Sequence, residues 1–309
     1  MNILAPINTL ESAKALIECG ANEIYLGADD KFYQSYSFTG RGKFSYKSLR
    51  VLNSFQELKE IVSYAHHNNV KVNFLGNTPF FTDIPPSQSE CMFFQYVEEA
   101  MRCDVDAVVV GDIGLLQSYG EKKYQVPLHA SLYFHTINQE QLKFLKFLGV
   151  SRTTLSYQVS MQEIQSLVAA KIMEIEVPGY LGCSFFNGAC NCLHELGEGI
   201  RSDFDQGITC KSYYEVESNG VCYQGAVFDV EVGCALCRLK QLDEIGVQAV
   251  KIVGRDRDHR QNAEVVRLFH DFLHNPERSS EDVPEYWKWI WCKNRRCKYE
   301  NSPNLKYCI

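Results

Sequence analysis

Short apolar runs of three to six residues alternate along the chain with longer stretches whose apolar positions recur at helical spacing. Apolar runs of this length, bounded by glycine or polar residues, are typical of strands buried in a parallel sheet. The strand candidates are Asn2–Ala5, Glu23–Leu26, Val70–Leu75, Ala107–Val110, Pro127–Ala130, Thr153–Leu155, Glu174–Val177 and Ala249–Val253. The pattern therefore predicts eight strands separated by helices.

Several predicted helices end on a phrase in which glycine closes the helix and a strand follows almost at once. Examples are CGANEIYLG (19–27), LGVSRTTLS (148–156) and IGVQAVKIVG (245–254). Glycine is favoured just after a helix because it adopts positive φ without strain. Capping-box spacing marks the helix starts, at Asn8 with Glu11, Ser54 with Glu57, Ser87 with Glu90 and Ser160 with Glu163. Eight such units predict an α/β fold, a (β/α)8 TIM-type barrel, with an open doubly wound sheet as the alternative.

The seventh unit is irregular. More than 50 residues without clear periodicity separate Val177 from the next helix, near Leu236. Loops of that length are uncommon in compact domains unless they are functional, and this one follows a strand, on the face where barrel enzymes have their active sites. We expect a barrel over residues 1–275 that includes a cysteine-rich, cluster-binding loop, 179–237, and a linker and tail over 276–309.

The cysteines concentrate in that loop. It holds seven of the thirteen: Cys183, Cys190, Cys192, Cys210, Cys222, Cys234 and Cys237. In a cytosolic protein, clustered cysteines are more often metal ligands or redox groups than disulfides. Without nearby histidine pairs they favour an iron–sulfur cluster or a four-thiolate zinc site, and the absence of paired C-x-x-C knuckles makes zinc the alternative. Buried free thiols are the third interpretation.

Composition and charge restrict the protein's class and its cellular compartment. The net charge of −7 gives no overall basic signal for nucleic acid, although a local basic patch remains open. The N-terminus, MNILAPINTLES, lacks the pattern of a signal peptide, and no apolar run approaches the roughly 20 residues of a membrane span. These features predict a soluble cytoplasmic protein with reduced thiols.

Three polar side chains near the ends of predicted strands are candidate catalytic or binding residues. His129 ends the fifth strand, where it would touch substrate or serve as a hydrogen-bonded core histidine. Arg255 follows the eighth strand, and its guanidinium suits a carboxylate or phosphate of a small anionic substrate. Its alternative is a salt bridge to Asp256 or Asp258. Lys251 lies within the same strand and could point either way.

The tail, YWKWIWCKNRRCKYENSPNLKYCI, is aromatic and basic and carries three more cysteines. Cys292, Cys297 and Cys308 have the spacing C-x4-C-x10-C, and with Cys237 or Cys222 they would complete a second four-coordinate metal site. Such a tail would fold over the barrel mouth, where it suits single-stranded nucleic acid, a peptide or a partner protein. A flexible tail and a disulfide are the alternatives.

Three phrases resemble the collagenase-like peptidase family, the group of unassigned mechanism numbered thirty-two. They are LAPINTLESAKALIECGANEIYLG (4–27), LHASLYFHTINQEQLKFLKFLGVSRTTLS (128–156) and CALCRLKQLDEIGVQAVKIVGR (234–255). The family signature C-x4-G-x-C is matched by Cys183, Gly188 and Cys190. The resemblance then implies Cys210 as the third family cysteine and Cys234 as the fourth.

The better-supported members of this family are similar to oxygen-independent hydroxylases with a [4Fe–4S] cluster. The resemblance implies that Cys183, Cys190, Cys210 and Cys234 bind such a cluster. It implies hydroxylation of an RNA base or a small aromatic molecule, with a prephenate-like oxygen donor, and it leaves a peptide substrate open. The alternatives are a peptidase with a structural metal loop and a non-catalytic iron–sulfur subunit of a hetero-oligomer. No G-x-S-x-G or H-E-x-x-H motif supports proteolysis.

Four positions depart from the family pattern. Tyr180 replaces a histidine before the first cluster cysteine, Tyr157–Gln158 replaces an arginine–glutamate pair, and Val253 replaces a glutamate. The implied cluster ligands are therefore kept while polar groups around them have changed.

Overall fold

Eight parallel strands form a closed barrel in the computed structural model, which describes residues 1–28, 54–77, 86–180, 214–218, 220–225, 233–254, 258–292 and 297–299. The barrel strands are β1 (Asn2–Pro6), β2 (Glu23–Leu26), β3 (Lys71–Leu75), β4 (Ala107–Val110), β5 (Leu128–Ala130), β6 (Arg152–Thr154), β7 (Glu174–Tyr180) and β10 (Ala249–Ile252). Between β7 and β10, β8 (Tyr214–Ser218) and β9 (Val221–Gly225) form an antiparallel hairpin. Pairing of β1 with β10 closes the ring, so the predicted barrel is confirmed and the open sheet is excluded.

A helix follows each barrel strand in the sequence. They are α1 (Leu10–Glu18), α2 (Phe55–His67), α3 (Pro86–Arg102), α4 (Ile113–Lys122), α5 (Gln139–Phe147), α6 (Met161–Ala169), α7 (Leu239–Glu244) and α8 (His259–His274). Each helix with described side chains buries one apolar stripe against the strands and exposes its polar side. None of the helices in the described ranges is both long and apolar enough to cross a membrane.

Polar caps fix where several helices begin. The predicted capping boxes at Ser54 and Ser160 are confirmed, because each side chain accepts a bond from the backbone N–H three residues on. The prediction for α1 was wrong by one residue, since Thr9 is the cap and Ser12 returns the bond. Asn8 instead donates its backbone N–H to the Ser12 hydroxyl. Caps of this kind contribute about 1 kcal/mol each.

Gly20 shows why glycine ends the helices. It has φ of 104°, a conformation that other residues adopt with strain. A Cβ atom built there would lie 2.3 Å from Cδ2 of His270 on α8. The glycine therefore allows both the turn into β2 and the close approach of α8.

The barrel interior contains an ionic network besides its apolar layers. Arg152 donates from Nη1 to Glu23 Oε2 at 2.6 Å and from Nε to Glu174 Oε2 at 2.8 Å. Glu23 also accepts from Nδ2 of Asn2 at 2.6 Å and of Asn73 at 2.8 Å. Burial raises the pKa of Glu23, but these hydrogen bonds and the Arg152 charge outweigh it and hold the pKa below its usual value. The network ties β1, β2, β3, β6 and β7 together.

A C-terminal segment, defined as residues 285–292 and 297–299, packs on the end of the barrel. A short helix, Glu285–Trp287, continues as a π-helical stretch, Lys288–Cys292. Trp287, Trp291 and Tyr299 belong to the same buried hydrophobic cluster as the barrel. Three aromatic residues of the predicted tail are therefore part of the barrel's core.

Candidate metal centre at the C-terminal face of the barrel

Cys234 lies where the end of β7 meets the C-terminal segment. Its backbone forms an antiparallel bridge with Tyr180, the last residue of β7, and a parallel bridge with Cys297. The backbone N–H of Lys298 donates to the Cys234 carbonyl at 2.9 Å. The predicted fourth cluster ligand is thus held between the barrel's C-terminal face and the C-terminal segment.

Two N–H groups point at the Cys234 sulfur. The indole Nε1–H of Trp287 donates to Sγ at 3.2 Å, and the backbone N–H of Leu236 donates at 3.3 Å. Burial raises the pKa of the Cys234 thiol to about 12, and these two donors act in the opposite direction. A metal-bound cysteine is a thiolate, and N–H donors favour that charged form.

Four thiols line one cavity of about 430 Å³ beside this point: Cys234, Cys237, Cys292 and Cys297. Cys234 is buried, Cys292 and Cys297 are half-buried, and Cys237 is exposed. As the side chains stand, no three His, Cys, Asp or Glu groups in the described ranges converge closely enough to hold a metal ion. The cavity brings the tail thiols to the predicted loop ligand without forming a finished site.

Lys298 reaches into the same cavity. Its Nζ is buried and has no hydrogen-bond partner among the described residues. It lies 4.4 Å from the ring centre of Tyr157 and 5.4 Å from that of Tyr299. Burial holds the pKa of Lys298 well below its usual value, and the nearby Cys234 acts in the opposite direction. Among the described lining residues, Arg238 and Lys288 add cationic side chains and no carboxylate is present.

The C-terminal segment contacts two of the positions that depart from the family pattern. Trp287 stacks on Tyr180 with ring centres 5.4 Å apart and an interplanar angle of 28°. Lys298 lies over Tyr157. Tyr299 donates its hydroxyl to the Pro178 carbonyl at 2.7 Å, which fixes the segment to β7.

His129 and Lys251 lie inside the barrel. His129 is buried, and its Nδ1 has no partner in the described part of the chain. Burial and then the Arg152 charge lower the pKa of His129 to about 3, so its imidazole is neutral at physiological pH. Lys251 Nζ donates to Glu176 Oε1 at 3.2 Å and lies 4.5 Å from the ring centre of Tyr25. Their catalytic roles stay predictions.

Five predicted site residues fall outside the described ranges: Cys183, Cys190, Cys210, Arg255 and Cys308. The predicted cluster and the predicted second site each have members among them, so both ligand sets stay predictions.

Sequence reasoning missed the partners of Cys234. The aromatic tail was expected to fold over the barrel mouth, and of its three tryptophans Trp287 and Trp291 are buried in the core while Trp289 is exposed. The available signal was a pair of cysteine motifs, C-x2-C from Cys234 and C-x4-C from Cys292, which precede and follow α8 in the sequence. Lys298 gave no signal, because a lysine beside a cysteine is unremarkable in sequence.

A (β/α)8 barrel with a thiol-lined cavity at its C-terminal face defines a barrel protein with a candidate metal centre. The profile of peptidase family U32 matches residues 8–299. The chain belongs to peptidase family U32, as its motifs predicted.

Named relatives are similar to this chain over much of its length. The chain is 24% identical over 267 residues to the Escherichia coli protein named 23S rRNA 5-hydroxycytidine C2501 synthase. The aligned region covers 84% of this chain and 37% of that protein. The chain is also 25% identical over 197 residues to the Escherichia coli tRNA hydroxylation protein P, and that aligned region covers 61% of this chain and 38% of that protein. The chain therefore spans about two fifths of these relatives' length. The solved structure of the U32 peptidase Mk0906 superposes with a TM-score of 0.47 at 15% identity, covering 82% of this chain and 93% of that one.

Proposed function

We propose that this chain is an iron–sulfur enzyme that hydroxylates a base in RNA. Family membership and the names of two relatives support hydroxylation and an RNA acceptor. The observation that carries the proposal is the surroundings of Cys234, which is buried at the C-terminal face of the barrel with two N–H donors on its sulfur. A thiolate ligand benefits from such donors, whereas an inert core cysteine does not require them.

Cys183, Cys190, Cys210 and Cys234 would hold the cluster, and the described member of this set fits that role. A bound cluster supplies one-electron chemistry that protein side chains lack. The chain's own residues then orient the reactants and exclude water. Burial of Cys234 by Tyr180, Trp287 and the bridge to Cys297 keeps solvent from that ligand.

The chain's charged groups suit a small anionic oxygen donor, for which prephenate is the compound that the resemblance implies. Arg255, which follows the end of β10 by three residues in the sequence, is the proposed binder, because a guanidinium fork matches a carboxylate. Lys251 is held by Glu176 and its ammonium faces the barrel interior, so it is a second candidate for contact with the donor. An RNA acceptor and thiolate ligands both suit the reducing cytoplasm.

The test is purification without oxygen, followed by iron, sulfide and zinc analysis. We expect iron and sulfide in the unaltered protein and their loss in Cys183→Ala and Cys234→Ala, because each removes a ligand. Cys91→Ala, which removes an exposed cysteine on α3, is the matched control and should keep full metal. Zinc without sulfide would refute the cluster.

The RNA acceptor is tested separately. Mass spectrometry of nucleosides from cells with and without the gene should reveal one hydroxylated base that disappears on deletion and returns with the unaltered gene, but not with Cys234→Ala. Identical nucleoside profiles would remove RNA as the acceptor while leaving the metal result intact.

A further inference from the structure

The amino group of Lys298 is buried and has no anionic partner in the described part of the chain. Its Nζ has no hydrogen-bond partner there, and its neighbours are the faces of Tyr157 and Tyr299. Aromatic faces compensate part of a buried charge, but buried lysines are normally paired with an anion. The surroundings of Lys298 therefore point to a negatively charged group in the cavity.

The cavity lining indicates what that anion is. Its described charged side chains, Arg238, Lys288 and Lys298, are all cationic, and its remaining polar groups are chiefly thiols. Phosphate or carboxylate ligands do not require cysteines, whereas a cluster held by four thiolates is an anion whose ligands are cysteines. Cys234 and Lys298 line this cavity together, and the backbone N–H of Lys298 donates to the Cys234 carbonyl at 2.9 Å.

Trp287 contacts the Cys234 sulfur directly. Its indole N–H is a donor only and is fixed at 3.2 Å from Cys234 Sγ. Stacking on Tyr180 and burial against the barrel hold the ring in that orientation. Hydrogen bonds to ligand sulfur and nearby charge are two of the factors that set cluster reduction potentials.

We propose that Lys298 and Trp287 are positioning residues that raise the reduction potential of an iron–sulfur cluster bound through Cys234. Lys298 balances the negative charge of the cluster, and Trp287 donates its N–H to the ligand sulfur. Reduction adds an electron, so both groups stabilise the reduced state more than the oxidised state. The inference rests on the proposed function, because it requires the cluster.

The experiment compares the unaltered protein with Lys298→Met, Trp287→Phe and Trp291→Phe, all purified without oxygen. Lys298→Met removes the charge and keeps the length of the side chain. Trp287→Phe removes the N–H and keeps an aromatic ring. Trp291→Phe is the matched control, since Trp291 is equally buried and packs on Tyr180, whereas the described donors to the Cys234 sulfur are Trp287 and Leu236.

Iron and sulfide per chain are measured first, and the midpoint potential follows from a redox titration monitored by electron paramagnetic resonance. We expect lower midpoints in Lys298→Met and Trp287→Phe than in the unaltered protein, and no shift in Trp291→Phe. Equal midpoints in all four proteins, each with its cluster, would overturn the inference alone. An unaltered protein without iron and sulfide would overturn the proposed function, and the inference with it.

A thermal comparison covers the case in which Lys298→Met loads its cluster poorly. In chelator-stripped protein, Lys298→Met should melt at a higher temperature than the unaltered chain, because a buried amino group without a hydrogen-bond partner has been removed. In cluster-loaded protein, that gain should shrink or reverse, because the charge then has its counterion. The same melting shift in both states would show a purely structural lysine and overturn the inference.

Discussion

Replacing Arg152 by methionine should destabilise the barrel strongly. The side chains of Arg152 and Glu23 are 4% and 0% exposed, and they meet at 2.6 Å. Removing one partner of a buried ion pair leaves an uncompensated charge and costs about 3–5 kcal/mol. The second bond of Arg152 adds little, since the Glu174 side chain is 49% exposed and screened by solvent. We therefore expect a loss of about 3–5 kcal/mol in the free energy of unfolding.

Urea unfolding monitored by far-ultraviolet circular dichroism measures the loss. With an m-value of about 3 kcal/mol/M, the unfolding midpoint of Arg152→Met should fall by about 1–1.7 M. The double variant Glu23→Gln with Arg152→Met should recover part of that loss, because no unpaired charge remains. Lys143→Met, which breaks an exposed pair with Glu140, is the control and should change stability by no more than about 0.5 kcal/mol.

The deficit of Arg152→Met should also depend on pH. In the unaltered chain the pKa of Glu23 is lowered, so its stabilisation is present above its unfolded pKa and is lost as pH falls through the folded pKa. Without Arg152, burial dominates and raises the pKa of Glu23, so protonation at acidic pH relieves the penalty. The deficit should therefore shrink as pH falls below about 5. A loss under about 1 kcal/mol at neutral pH, with no recovery in the double variant, would refute this reasoning.

Two further predictions concern His129 and the tail thiols. The pKa of His129 is about 3 in the folded protein against about 6.5 in the unfolded chain, so the unfolded chain binds more protons between these values. The free energy of unfolding therefore decreases as pH falls through this range. His129→Gln should flatten that dependence by up to about 1.4 kcal/mol per pH unit, measured by urea midpoints; parallel curves would contradict it. If the tail thiols bind a second metal, Cys292→Ser with Cys297→Ser should lower metal per chain and leave sulfide unchanged, and equal metal analyses would exclude that site. Point variants serve better than truncation, because Trp287 and Trp291 are part of the core.

The barrel could be predicted because its signals are local. Each strand is a short apolar run, and a glycine such as Gly20 or Gly149 precedes several of them with positive φ. The ionic network could not be predicted in the same way. Arg152 and Glu23 are 129 residues apart, and each begins its strand, where a charged residue ordinarily faces solvent. Only the closure of the barrel places them opposite each other.

The candidate site was likewise predictable only in part. Cysteine spacing and the resemblance pointed to Cys234 from sequence alone, and the structure places it at the expected face. The residues that pack around Cys234 lie far from it in the sequence. Trp287 follows Cys234 by 53 residues, and Lys298 lies further on. Their part depends on how the C-terminal segment docks on β7, and no periodic pattern encodes that docking.

The pairing of β1 with β10 has a consequence for the order in which the protein is made. The barrel can close once residues 249–252 have left the ribosome, but Trp287 and Lys298 emerge a few seconds later, at about 5–20 residues per second. During that interval Cys234 has a formed barrel on one side and nothing from the C-terminal segment on the other. If Cys234 binds a metal, we expect its delivery to be easiest in that interval, before the C-terminal segment packs against Cys234 and restricts access to it.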